Sequence, residues 1–156
     1  MEVKYFKSVQ TIDKTIKTLY SILSAEADEI HNWELFLYLF HPEGKMIQYA
    51  NNIDGLLEIT FMSPKEYVNT IGKYLDERSF YEKEIYKKID TYGSLAHVLS
   101  TYQSYRSKFD KKPYFTGLNS FQLVYQHRRW WIINNFWTRE AIAEPFPKEF
   151  LQKHNF

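Results

Sequence analysis

The sequence contains no cysteine, which excludes disulfides, thiolate-bound zinc and thiol catalysis. It also lacks an excess of either charge. Its 20 basic and 19 acidic residues leave a formal net charge of +1, so no long-range field draws it to nucleic acid or to an anionic membrane. Basic residues gather only briefly, at Arg106, Lys108, Lys111 and Lys112 and at Arg128 with Arg129, and both clusters read as solvated hairpin tips. The first twenty residues carry no continuous apolar run. They are expected to be neither a signal peptide nor a membrane span, and the chain reads as cytoplasmic. No HxH, HExxH or carboxylate cluster suggests a metal, and no glycine-rich phosphate loop or GxSxG elbow is present. No cofactor and no metal are expected.

Aromatic residues, by contrast, are plentiful. Tyrosine, phenylalanine and tryptophan make up 19% of the 156 residues. So many rings imply either an aromatic-rich core or wide concave and interface surfaces. The length fits one domain over residues 1–156.

Val9, Ile12, Ile16, Leu19 and Leu23 recur at steps of three and four and predict a first helix over Ser8–Ala25. Asn32 suits the cap of a second helix, Trp33–Phe40, which His41-Pro42-Glu43-Gly44 should end. A short strand over Lys45–Tyr49 follows. Ser63-Pro64-Lys65-Glu66 has the pattern of a capping box with proline in the first turn, opening a third helix to about Leu75. Strands are then expected over Phe80–Tyr92 (an exposed edge, given its Lys and Glu), Leu95–Ser104, Gly117–Gln126 and Trp130–Trp137, with turns at Tyr92-Gly93-Ser94 and His127-Arg128-Arg129. Short connections make an antiparallel meander. The tail should lie across the body and add one helical turn after Pro147.

Side chains alternate along a strand. Trp131, Ile133, Asn135 and Trp137 then share one face of the last strand, with Trp130, Ile132, Asn134 and Phe136 on the other. Both sets are mostly apolar, so both faces should be covered. The helices can cover one, and a second copy of the chain or the tail the other; a homodimer through the convex sheet face is the preferred expectation. Asn119, Phe121, Leu123 and Tyr125 read as concave, and so does the set Ala96, Val98, Ser100 and Tyr102. The fold class is α+β: three N-terminal helices packed against a cone-shaped, curved antiparallel sheet.

The stretches AHVLSTYQSYRS and GLNSFQLVYQHRRWWIINNFW, and the tail EPFPKEFL, resemble an uncharacterised bacterial branch of the nuclear-transport-factor-2-like (SnoaL-like) superfamily, whose cone is described as cystatin-like. The resemblance spans about Ser8 to Leu151. It implies the fold more than an activity, because this superfamily hosts isomerases, dehydratases, cyclases, hydrolases and binding modules. Its steroid isomerases place a base eight residues after a Phe that ends helix two; counted from Phe40, that position is Gln48. Their protonated acid lies two residues before a late-strand Phe; counted from Phe121, it is Asn119. An amide is no base near neutral pH, although Asn119 could donate a hydrogen bond. Tyr20, or equally Leu19, falls near a pocket tyrosine of those enzymes.

The expectation is therefore a binding pocket for a small apolar or aromatic ligand, lined by Phe36, Gln48, Tyr67, Tyr102, Asn119 and Trp137. The rings could equally just fill the cone. Asp54, Glu58, Asp76, Glu77 and Glu82 read as solvated charge in loops or on edges. Two rival readings are an enzyme using His97 or a loop Asp, and a non-catalytic dimerisation or interaction module. Of the other histidines, His31 and His41 flank helix two, His127 is at a turn and His154 is in the tail.

Overall fold

The computed structural model describes residues 3–152; the expected tail histidine, His154, lies outside them. A 3-10 segment, Val3–Val9, precedes helix α1, Ile12–Leu23. The first helix therefore starts four residues later than the apolar spacing predicts. Thr11 is the reason: its backbone is extended, and its hydroxyl accepts from the Lys14 N–H at 3.1 Å, which makes it a cap and not a helical residue. Ile16, Leu19, Tyr20 and Leu23 face the core, and Asp13, Lys14, Lys17 and Ser21 face solvent.

Helix α2, Trp33–Leu39, is capped by the Asn32 side chain, which accepts from the Leu35 N–H at 3.0 Å. Strand β1, Phe40–Asn51, begins directly at its end. Pro42 and Gly44 therefore do not separate helix from strand; they lie in a bulge between Phe40 and Lys45 where the register with the neighbouring strand shifts. A Cβ on Gly44 would meet the His41 carbonyl oxygen at 2.9 Å.

Strand β2, Leu57–Met62, pairs back on β1 and was not expected. Its turn is built by Asn52, whose side-chain oxygen accepts from the Asp54 and Leu56 N–H groups, and by Gly55 at φ +77°. The capping box forms as expected: Ser63 and Glu66 exchange bonds of 3.0 and 3.2 Å. It opens α3, Pro64–Tyr67, which continues through a π-helical turn, Val68–Gly72, into α4, Lys73–Asp76.

Strands β3 (Tyr81–Tyr92), β4 (Leu95–Tyr105), β5 (Phe115–Gln126) and β6 (Arg129–Arg139) form the antiparallel meander. The sheet is curved and unclosed, in the order β2-β1-β6-β5-β4-β3. Every pairing is antiparallel except β1 with β6. β3 is an edge strand, as its charges suggest.

Strict alternation fails in β6. A bulge pairs Gln122 with Asn134 but Leu123 with Ile132, so Ile133 is the extra residue. The concave set becomes Trp130, Ile132, Asn135 and Trp137, where the sequence had split these residues between two faces. β5 and β4 present Asn119, Phe121 and Leu123, and Ala96, Val98, Ser100 and Tyr102, to the same concave side.

Arg129 is a further correction. It is buried, with its guanidinium 3.6 Å from the Trp131 ring centroid and 4.2 Å from that of Tyr38, and it donates to the Tyr38 carbonyl at 2.6 Å. It ties the β5–β6 hairpin to α2 and is no solvated tip. The tail forms its helical turn at Lys148–Leu151 and stacks Phe150 on Tyr86, covering the β3 end of the convex face.

Candidate functional site

Three rows of residues cross the concave face near its open end. Gln48, Trp137, Asn119 and Ser100 are register partners across β1, β6, β5 and β4. Arg139, Gly117, Tyr102 and Glu84 form the next row. Phe115, Ser104 and Glu82 form the outermost. Paired residues point to the same face of a sheet. The rows therefore place Glu82 and Glu84 inside the cone.

A cavity of about 360 Å³ opens at this end, lined among others by Gln48, Tyr67, Glu82, Tyr102, Trp137 and Arg139. Its roof comes from α3, the π-helical turn (Thr70, Ile71) and α4 (Tyr74, Leu75). Tyr102 fits because Gly117 has no side chain: a Cβ there would stand 2.2 Å from the Tyr102 ring. Tyr67 is fixed from behind by Phe36, stacked at 5.2 Å, and its edge meets Trp137 at 5.9 Å.

Of the six residues expected to line a pocket, the structure brings Gln48, Tyr67, Tyr102 and Trp137 together on this cavity. Phe36 lies in the core behind Tyr67. Asn119 lies deeper, where its amide donates to the Tyr20 hydroxyl at 2.9 Å. Tyr20 also bonds Ser100 at 2.6 Å, and the Ser100 hydroxyl donates to Glu84. Lys87 then bridges Glu84 at 3.6 Å and Asp13 at 2.6 Å. This polar chain runs from the depth of the cone to the surface beside α1. Burial raises Tyr20 well above the usual phenol range, with Glu84 and Glu82 adding to it, so it acts as a hydroxyl and not as a phenolate.

Glu82 is the residue that sequence reading misplaced. An acidic edge strand predicts a solvated charge there, yet Glu82 lies on the concave face and lines the cavity with Tyr67 and Tyr102. Loss of water pushes its pKa up to about 8, even against the opposing charge of Arg139. Burial likewise raises both phenols, with Glu82 the next cause. The missed signal was phase: in YEKEIYKK, Glu82 and Glu84 share one face, and the bulge between Glu84 and Tyr86 hides that phase from simple alternation.

His97 lies on the convex side and bonds Ser120 at 2.9 Å, so no histidine enters the cavity from β4. His31 is buried against Trp33 and bonds the Ile22 carbonyl. Among the described residues no group of three or more His, Asp or Glu could hold a metal, and no helix is long and apolar enough to cross a membrane.

No family model matches the chain, and no curated protein matches it. Solved structures do. An NTF2-like protein of unknown function from Pseudomonas putida superposes with a TM-score of 0.62 at 10% identity, over 92% of this chain and 90% of that one. A cystatin-like protein from Caulobacter vibrioides gives 0.62 at 14%, over 88% and 92%. A provisionally named ketosteroid isomerase from Shewanella frigidimarina gives 0.56 at 17%, over 79% and 90%. The chain has the cone-shaped α+β architecture of the nuclear-transport-factor-2-like, or cystatin-like, fold.

Proposed function

We propose that the protein is a small-molecule-binding domain whose ligand occupies the aromatic cavity at the open end of the cone. The observation that carries this reading is the 360 Å³ volume, lined by Tyr67, Tyr102 and Trp137 with a few polar groups among them. That is the scale and the mixed character of ligand sites. An interaction module would need no such space. The test is to fill it: Ile71→Trp should abolish the thermal-shift response to aromatic fragments that stabilise the wild type. An undiminished response would place their site elsewhere.

A second reading, an acid–base enzyme, is favoured by Glu82. Gln48 stands where the isomerase resemblance puts a base, and it cannot serve as one. Glu82 is a carboxyl whose proton is balanced near neutral pH, the condition for useful proton transfer. We also propose a homodimer through the convex face, supported by the exposed apolar side chains Leu57, Ile59, Phe61 and Phe136.

A further inference from the structure

The cavity holds an unusual balance of hydrogen-bonding groups. Neither the Tyr67 nor the Tyr102 hydroxyl has a hydrogen-bond partner among the described residues, in contrast to Tyr20. The Ser104 hydroxyl is fully buried without a partner, and it is the direct register partner of Glu82. Among the described residues the Glu82 carboxyl also has no hydrogen-bond partner, since Ser24 bonds only its backbone. Of these groups only the Ser104 hydroxyl is shut off from solvent; the Tyr67 and Tyr102 hydroxyls and the Glu82 carboxyl stay accessible beside the cavity, where such donors suit a ligand with strong acceptor oxygens.

Charge narrows the class. Arg139 lines the same cavity with its guanidinium 3.7 Å from the Phe115 ring centroid, and among the described residues no carboxylate lies within ion-pair distance of it. Near neutral pH Glu82 keeps its proton, so the cavity presents one cation (Arg139), the hydroxyl residues Tyr67, Thr70, Tyr74 and Tyr102, the Gln48 amide and one carboxylic acid. It offers donors and positive charge, with rings around them.

We propose that the ligand is a small carboxylate on an aromatic or alicyclic body, its oxygens held by Tyr67, Tyr102, Arg139 and the carboxylic acid of Glu82. This rests on the cavity being a ligand site. Among the described residues, the charged and titratable groups that share a cavity wall with Glu82 are Arg139 from β6, Tyr102 and Tyr105 from β4, Tyr81, Lys83, Glu84 and Lys87 from β3, Tyr67 and Tyr74 from α3 and α4, Asp13, Lys14, Lys17 and Tyr20 from α1, and Lys108, Asp110 and Lys111 from the loop before β5; of these, Arg139 is the charge that acts on its pKa. Once Glu82 ionises, it changes from a donor to the anion into a like charge beside it.

The experiment compares 2-naphthoate, 2-acetylnaphthalene and naphthalene by calorimetry between pH 6 and pH 9. Naphthoate should bind at least about tenfold more tightly than naphthalene at pH 6.5, with the ketone between them, as charge-assisted bonds exceed neutral ones. Its affinity should fall by about tenfold or more above pH 8 in the wild type and stay level in Glu82→Gln. Tyr67→Phe, Tyr102→Phe and Arg139→Gln should each weaken naphthoate about five- to tenfold more than naphthalene, in variants that keep a cooperative unfolding transition. Equal affinities for naphthoate and naphthalene would overturn the carboxylate assignment while leaving the cavity a ligand site. Failure of all three compounds to bind would overturn both readings.

Discussion

A carboxyl placed among phenol rings resists giving up its proton, and the cost is paid by the fold. The pKa of Glu82 stands near 8 when folded against an ordinary value of 4.5. The folded state therefore holds a proton that the unfolded chain releases, and stability must fall as pH rises between those two values. Arg139 is the one cation that opposes the shift, and the neighbouring phenols are neutral throughout this range. Glu82→Gln removes the titration. The variant should match the wild type near pH 4.5 and grow more stable relative to it up to pH 8. At about 1.4 kcal/mol per pH unit the gain reaches about 2–4 kcal/mol, the range allowing for water reaching the cavity. Urea unfolding of both proteins from pH 5 to pH 9 measures it. A constant difference across that range would mean that Glu82 is solvated.

The elements show how local chemistry serves the cavity. Ser63, Pro64 and Glu66 fix the start of α3, and one turn later Tyr67 enters the cavity wall. Ser63→Ala removes a bond to the Glu66 N–H and frees the Glu66 side chain that reaches back. It should cost about 1 kcal/mol in urea unfolding, with Ser63→Thr retaining most of the stability. No measurable loss from the Ala variant would mean that packing of Tyr67 alone sets the helix start. This box was legible because capping depends on adjacent residues, and so were the two hairpin turns after β3 and β5. What escaped the sequence depends on distant partners. The bulge in β6 exists because β5 reads Gln122 and Leu123 against Asn134 and Ile132, and nothing within Trp130–Trp137 signals it. β2 escaped because Leu57, Ile59 and Phe61 alternate correctly but have no core to face. The inward phase of Glu82 escaped because an acidic edge strand ordinarily turns its charges outward. Gln48 was placed through the family resemblance and Trp137 as one of the rings able to line an apolar pocket, and the parallel β1–β6 pairing that joins them could not be read from spacing.

On the scale of the molecule, the described residues cover the convex face at one end only. The tail stacks Phe150 on Tyr86 at the β3 edge. At the other end the rows Ile47, Phe61, Phe136 and Tyr49, Ile59 continue across β1, β2 and β6, with Ile59 52% and Phe61 65% exposed. An edge strand with such side chains invites pairing, and contiguous apolar surface of this kind marks an interface in soluble proteins. A second copy can present the same rows about a two-fold axis, which is the simplest closed solution. A stable interface needs about 800 Å² from each partner, which calls for the whole patch and not β2 alone. Light scattering at micromolar concentration should therefore give twice the mass of one chain. Phe61→Lys together with Ile59→Lys should return it to one chain without altering the cavity, because both side chains lie on the face opposite Gln48 and Trp137. A wild-type protein that runs as a single chain at that concentration rejects the dimer and leaves this face for a partner of another kind.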